Sequence, residues 1–155
     1  MATALVDLYG GDDFEPFDRI ILPEAYRPSD QDEFMCAKHR AYFLRKLKAW
    51  KEAIIDESRA TMAQLQVDSL REPDLADRAS SETDWSIELR TRDRQRKLIA
   101  KIEAALKRID DGTYGFCEET GEPISLRRLD ARPIATLSIE AQERHERRER
   151  VYRDD

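Results

Sequence analysis

Two carboxylates in a short segment are the side chains most suited to chemistry: Asp74 and Asp77, with Pro73 before them and Ala79 after. Paired aspartates bind a divalent cation, accept hydrogen bonds deep in a partner's site, or displace an acid of that partner. They also suit a structural role, because Asp74 as N-cap and Asp77 in the first turn would stabilise a helix by about 1 kcal/mol. Both interpretations stay open at this point.

A long helix is predicted before this segment, from about residue 33 to about residue 70, because no Gly or Pro interrupts the range. Two overlapping capping boxes, Ser29 with Asp32 and Asp30 with Glu33, predict where it starts. Its side chains at heptad-like spacing form one predicted seam: Phe43, Leu47, Trp50, Ile54, Thr61 and Leu65.

A return helix is predicted from about Asp77 to Ile109, with Gly112 placed to end it. Its predicted seam contains Trp85, Leu89, Ile99, Ile102, Leu106 and Ile109, with Arg92 and Arg96 in the middle. Two such helices joined by a short segment predict an antiparallel coiled-coil hairpin about 50 Å long. Residues 71–80 would then be its tip.

Residues 113–137 are predicted to form a small base for the hairpin. Two extended pieces, 113–117 and 120–124, flank a tight turn in which Gly121 would adopt a positive φ. Ser138 is a predicted N-cap for a last helix. The predicted core of the base is Phe116, Ile124, Leu126, Leu129, Ile134, Leu137 and Ile139. The last helix is predicted to carry the pairs Glu140–Arg144, Glu143–Arg147 and Glu146–Arg150.

The base has the spacing of a four-cysteine zinc ribbon, but its four positions are Cys117, Thr120, Ser138 and Ala141. A structural zinc site needs about four sulfur or nitrogen ligands, and neither histidine has a suitable spacing to the remaining thiol. The sequence therefore predicts no zinc, with Cys117 as a small buried apolar residue.

The basic residues are concentrated on the return helix and the base: Arg90, Arg92, Arg94, Arg96, Lys97, Lys101, Arg127, Arg128 and Arg132. They form either a solvated helix face or a contact for an anion or an acidic protein. Guanidinium groups of the base near Lys101 would suit a polyphosphate.

Composition limits the function classes. Of 155 residues, 39% are charged, which suits long exposed helices. The net charge of −6 argues against nonspecific duplex binding. Residues 1–35 carry nine acidic residues and two arginines, so the excess negative charge lies in this segment. No apolar run and no leader predicts a membrane or secretory route. Two cysteines give no disulfide framework, so we expect a reduced cytoplasmic protein.

Five segments together resemble the DksA/TraR family of bacterial RNA polymerase-binding transcription factors: 74–79, 86–94, 96–99, 114–118 and 127–133. The resemblance covers about residues 30–150. It implies a non-enzymatic regulator that inserts its coiled-coil tip into the polymerase secondary channel. There it would alter open-complex stability at promoters together with ppGpp, in the stringent response.

By position, the resemblance makes Asp74, Asp77 and Ala79 the tip residues near the polymerase active site. The positions tied to polymerase or ppGpp contact are Arg94, Lys97, Lys101 and Arg132. The chain departs from the family at three of the four metal positions, which implies a zinc-independent variant. It also has Gln142 where ppGpp-dependent members tend to have lysine.

The expected fold is mainly α: an antiparallel two-helix coiled-coil hairpin on a small base with a degenerate zinc-ribbon-like segment and a C-terminal helix. The expected divisions are an acidic arm packing on the base (1–32), the hairpin (33–111), the base (112–137) and the last helix with its tail (138–155). The expected partners are RNA polymerase and ppGpp, with no sequence-specific DNA, no membrane and a monomeric chain.

Two alternatives remain. A transcript-cleavage factor of the Gre type would use the tip acids to hold a second Mg²⁺. A purely structural helical hairpin that mediates protein assembly would not depend on the tip acids.

Overall fold

The computed structural model describes residues 15–70 and 75–153, where the regular elements are helices apart from one β-bridge. The helices are α1 (Glu15–Asp18), α2 (Ala37–Ser69), α3 (Leu75–Asp111), α4 (Leu126–Ala131) and α5 (Ile139–Arg153). The expected mainly helical fold, with a coiled-coil hairpin and a C-terminal helix, is confirmed. No helix in this described part is long and apolar enough to cross a membrane.

The chain divides into two compact units, both of which include parts of α2 and α3. The hairpin unit comprises Lys48–Glu103. The basal unit comprises residues 1–47 together with 104–155.

In the hairpin unit, α2 and α3 run antiparallel. Lys51 Nζ of α2 lies 2.9 Å from Glu103 Oε1 of α3, and Ile55 lines one cavity together with Ile99. Residue numbers therefore increase along α2 as they decrease along the facing side of α3. Ile54 is buried in the resulting seam.

The seam on α3 differs from the predicted one at two positions. Leu89 is 58% exposed and Arg96 is exposed, whereas Glu88 and Gln95 are half-buried. A straight helix has 3.6 residues per turn and drifts by about 20° per heptad from a strict 3.5-residue repeat. The contact face therefore passes through Gln95 rather than Arg96, and the prediction for Leu89 and Arg96 as seam residues was wrong.

The basal unit has the main apolar core of the described chain. Its fully buried side chains include Phe43, Leu44, Leu47, Ile109, Ile124 and Leu129. The Phe43 ring lies 5.5 Å from that of Tyr114, whose hydroxyl donates to the Pro133 carbonyl at 2.7 Å. The start of α2 is thereby joined to the loop after α4.

Two predicted core residues of the base lie at the surface instead. Phe116 is 36% exposed, and its ring forms a T-shaped contact with that of Phe34 at a centroid distance of 5.4 Å. Ile139 is 51% exposed because it opens α5 on the outer side of that helix. The predictions for Ile124, Leu126 and Leu129 as buried residues are confirmed.

The first long helix begins at Ala37 rather than near residue 33. The hydroxyl of Ser29 accepts from the Gln31 N–H at 3.2 Å, and the Cys36 N–H closes a turn on the Glu33 carbonyl. Met35 has a φ of +53°, which is incompatible with a right-handed helix. The predicted capping boxes therefore form turns before α2 rather than its N-cap.

The turn of the base and the start of α5 are as predicted. Phe116 and Pro123 form an antiparallel bridge, and Gly121 has a φ of +72°. The Ser138 hydroxyl accepts from the Ala141 N–H at 3.3 Å, which caps α5.

The ion pairs of α5 are only partly as predicted. Arg147 lies 3.8 Å from Glu143, but Arg144 pairs with Glu119 of the turn at 3.6 Å rather than with Glu140. Glu146 accepts from the Gln142 amide at 3.0 Å, and no pair with Arg150 is seen in the described chain.

Candidate functional site

Thr120 and Ser138, two of the other zinc-ribbon-like positions, lie next to the sulfur of Cys117. Donors to this sulfur are the Thr120 hydroxyl and the backbone N–H groups of Ser138, Thr120 and Glu119. Burial alone would raise the pKa of the thiol, but these hydrogen bonds outweigh it and lower the pKa to about 6. Cys117 is buried as predicted, but its sulfur lies among hydrogen-bond donors rather than in a purely apolar environment.

These four positions do not fit a tetrahedral zinc ion, because they contain one thiol. The hydroxyl of Ser138 is already used as a cap, and the Thr120 hydroxyl accepts from the Glu122 N–H at 3.3 Å. The methyl group of Ala141, fully buried, offers no ligand. Across residues 15–70 and 75–153, no group of three His, Cys, Asp or Glu side chains is arranged for a metal.

Chelation should therefore leave the stability of the chain unchanged. Where zinc is structural, its binding free energy contributes to folding, so a chelator lowers the melting temperature. We expect identical melting curves by circular dichroism with and without excess EDTA. A lowered melting temperature in EDTA, restored by added zinc, would contradict the poor fit of these four positions to zinc.

His39 is a buried titratable group that the sequence did not reveal, since it was considered only as a metal ligand. Its side chain has no exposed surface, and within the described chain neither ring nitrogen makes a hydrogen bond of good geometry; the Ser29 backbone and the Asp32 carboxylate are the polar groups that act on it most. Burial lowers the pKa of His39, against the opposing effect of the Asp32 carboxylate, whose oxygen is 4.0 Å from Nε2. The neutral imidazole is therefore favoured in the folded chain.

Cys117 and His39 should both make the folded chain less stable as the pH falls. The pKa of Cys117 is about 6 in the folded chain, below its ordinary value of 9.0, so the stability it contributes is complete above pH 9 and is lost as pH falls through 6. Burial lowers the pKa of His39 below its ordinary value of 6.5, so the unfolded chain takes up the proton first and the stability decreases as pH falls below 6.5. We expect a melting temperature that decreases steadily from pH 9 to pH 5.

Two variants separate these contributions. Cys117→Ala should reduce the change in melting temperature between pH 9 and pH 6. His39→Leu should reduce the change below pH 6.5. Unchanged slopes in both variants would show that other groups cause the pH dependence.

Asp130 fixes the basic segment of α4 against α2. Its carboxylate accepts from the Tyr42 hydroxyl at 2.6 Å and lies 2.6 Å from Lys46 Nζ. Hydrogen bonds from Lys46 and Tyr42 lower the pKa of Asp130, while burial and then the bond to Asp130 raise the pKa of Tyr42 to about 12. Arg128 donates to the Leu137 carbonyl at 3.0 Å, so its guanidinium has a structural partner.

The predicted contact residues of α3 lie on one face of that helix. Arg94, Lys97 and Lys101 are exposed and are separated by three and four residues, which places them side by side. Lys97 Nζ lies 3.0 Å from Asp93 Oδ2 one turn away. Arg132, in the basal unit, is exposed and ends α4 by donating its backbone N–H to the Arg128 carbonyl.

The predicted tip residues are described only in part. Ala79 is exposed on α3, whereas Asp74 and the side chain of Asp77 lie outside the described residues. The choice between capping and a presented carboxylate pair therefore stays a prediction.

Two family models match this chain. The model of the "DnaK suppressor protein DksA, N-terminal domain" matches residues 39–109, and the "Prokaryotic dksA/traR C4-type zinc finger" matches residues 112–147. The second model covers the segment in which one of four cysteine positions is kept.

Individual relatives match over most of their length. The chain is 65% identical over 130 residues to the "RNA polymerase-binding transcription factor DksA" of Caulobacter vibrioides, covering 84% of this chain and 92% of the relative. It is 42% identical over 127 residues to the protein of the same name from Escherichia coli strain K12, covering 82% and 84%. The solved structure of "transcription factor DksA2 from Pseudomonas aeruginosa" is 42% identical, with a TM-score of 0.70, and covers 76% of this chain and 90% of that one.

Proposed function

The chain belongs to the DksA family, and from this membership we propose that it binds bacterial RNA polymerase and regulates transcription without catalysing a reaction. The observation that carries the proposal is the 65% identity to a factor named for polymerase binding, over 92% of that factor's length. The antiparallel hairpin of α2 and α3 supports it, because the first family model spans most of that hairpin. Such a protein works in the cytoplasm as a monomer.

In this proposal the hairpin enters the secondary channel of the polymerase. Asp74, Asp77 and Ala79 then approach the active site and alter the stability of promoter open complexes. Two carboxylates placed among magnesium ions and basic side chains act electrostatically, so a small movement of the tip changes the energy of the complex. No sequence-specific DNA contact by this chain is required.

Arg94, Lys97, Lys101 and Arg132 are proposed to contact the polymerase or ppGpp. Their exposure supports this role, since none is taken up in the core. Of these four residues, only Lys97 has an ion pair within the described chain, and such an exposed pair contributes about 0–1 kcal/mol and is easily exchanged for a partner. Gln142 removes one cationic contact from the family pattern, so ppGpp is expected to act more weakly here than on members with lysine.

Zinc independence is part of the same proposal. The hydrogen bonds to Cys117, the cap at Ser138 and the buried Ala141 replace metal coordination in holding the turn against α5. Binding to the polymerase should therefore persist in chelator.

The test is in vitro transcription from a ribosomal RNA promoter with purified bacterial polymerase, with and without ppGpp. We expect the chain to shorten the half-life of competitor-challenged open complexes, and ppGpp to enhance the effect. Lys97→Gln and Lys101→Gln should weaken the effect, whereas Arg148→Gln, an equal charge change on the exposed face of α5, should not.

A parallel assay with backtracked elongation complexes separates the cleavage alternative. Shortening of the transcript on addition of this chain, with no change in open complexes, would favour a Gre-type factor. No effect in either assay would contradict the proposed function.

A further inference from the structure

Beside the seam of the hairpin unit lies a cavity of about 300 Å³ whose lining includes three arginines. We call it the seam pocket and define its polar lining as Ser58, Arg59, Arg92, Gln95 and Arg96. Ile55 and Ile99 form its apolar part. None of the proposed polymerase or ppGpp contact residues lines it.

The positive charge of the seam pocket is not neutralised within the described chain. Arg92 and Arg96 have no hydrogen bond or ion pair among residues 15–70 and 75–153. Arg59 has only a 4.0 Å contact with Asp56, and both side chains are more than three-quarters exposed. Such a pair contributes little, so the pocket presents up to three guanidinium groups.

A buried polar atom in the pocket also lacks a partner. Within the described chain, Gln95 Oε1 is inaccessible to solvent and has no hydrogen-bond donor. A buried acceptor without a donor is unfavourable. The NH₂ group of the same side chain is a donor, so an anion in the pocket would accept from it together with the guanidinium groups.

From this we propose that the seam pocket is a binding site for a diphosphate group. Guanidinium groups bind phosphate oxygens through paired hydrogen bonds, and groups from both helices approach the same space. The cavity has room for about ten waters at ~30 Å³ each, which is more than a single phosphate fills. A diphosphate has enough oxygens to engage arginines of α2 and α3 together.

Occupancy would cross-link the two helices of the hairpin unit. A ligand that binds only the folded hairpin stabilises it in proportion to the logarithm of its concentration over Kd. The pocket would thereby couple the diphosphate level to the stiffness of the hairpin. This inference concerns the isolated chain and does not depend on polymerase binding.

The test is calorimetric titration of the full chain with inorganic pyrophosphate in low salt, with a nucleoside diphosphate and orthophosphate as parallel arms. We expect saturable binding of one pyrophosphate per chain and a raised melting temperature. Weaker binding of the nucleotide would assign the site to free pyrophosphate, and equal or tighter binding would assign it to a nucleotide; both support a diphosphate site.

Matched variants locate the binding. Arg92→Gln and Arg96→Gln should each raise Kd by about tenfold or more, and Arg92→Lys should give an intermediate value because it keeps the charge but loses the fork. Arg90→Gln removes the same charge from the same helix but does not line the seam pocket, so its effect should stay below about twofold. Helix content by circular dichroism confirms that each variant is folded.

Absence of saturable pyrophosphate binding would overturn the proposal. Equal weakening by Arg90→Gln and Arg92→Gln would overturn it too, because it would indicate diffuse attraction to a basic helix. Orthophosphate binding as tightly as pyrophosphate would refute the diphosphate assignment.

Discussion

Replacing Asp74 and Asp77 together by asparagine should abolish the effect of the chain on open-complex half-life while leaving the fold intact. Asparagine has nearly the same shape as aspartate and is an equally good N-cap, so a purely capping role would survive the change. The two negative charges, which the proposed contact in the secondary channel requires, are lost. The measurement is the decay of competitor-challenged complexes at a ribosomal RNA promoter.

Asp84→Asn is the matched control for this experiment. It makes the same chemical change at an exposed position of α3 and should leave promoter activity unchanged. A double tip variant with full promoter activity would favour the structural-hairpin alternative. A double variant that loses both activity and several degrees of melting temperature would instead favour a structural role for the two charges, which also interact favourably with a helix N-terminus.

Phe43→Ala should destabilise the basal unit by about 3–5 kcal/mol, which is a large part of the stability of a small domain. The Phe43 side chain is fully buried, and its ring contacts those of Tyr114 at 5.5 Å and Tyr42 at 5.2 Å. Removing it leaves a cavity among rings that are hydrogen-bonded to Pro133 and Asp130 and so cannot readily move to fill it. Urea denaturation followed by circular dichroism measures the loss.

Ile139→Ala provides the comparison in the same unit. Its side chain is 51% exposed, so the expected loss is below about 1 kcal/mol. Equal losses in the two variants would indicate that Phe43 does not organise the core of the basal unit.

Local patterns in the sequence were sufficient for the hairpin, the turn at Gly121 and the cap at Ser138. Each depends on residues close together in the chain: an uninterrupted helical repeat, a glycine with φ of +72° and a hydroxyl three residues before the N–H it accepts from. The exact face of α3 was predicted less well. A repeat that fits Leu89 and Arg96 also fits Glu88 and Gln95 after a small rotation, and packing against α2 decides between them.

Long-range contacts account for the features that the sequence did not reveal. Asp130 meets Tyr42 across 88 positions and Lys46 across 84, and no local signal links them. Met35 adopts its positive φ where its side chain packs against Gly115, so the shift of the first helix to Ala37 depends on a distant loop. The lowered pKa of Cys117 depends on N–H groups of Ser138, Thr120 and Glu119, which the fold aims at one sulfur.

The family resemblance predicted which residues belong to the candidate site, but it did not predict the contacts those residues make. Arg94, Lys97 and Lys101 were taken from the resemblance, and helical spacing explains why they share a face. In the sequence, the seam pocket was indicated only by Arg92 and Arg96, two polar residues between apolar positions of the predicted seam. Its depth, and the unpartnered Gln95 oxygen, required the pairing of two helices.

The most direct measurement is the binding of fluorescently labelled chain to purified bacterial RNA polymerase in excess EDTA, read by fluorescence anisotropy. The account predicts saturable binding with the same Kd in EDTA and in zinc-supplemented buffer, and competition by unlabelled chain. No binding in either buffer would contradict the proposed partner, and binding that appears only with added zinc would contradict the metal-free base.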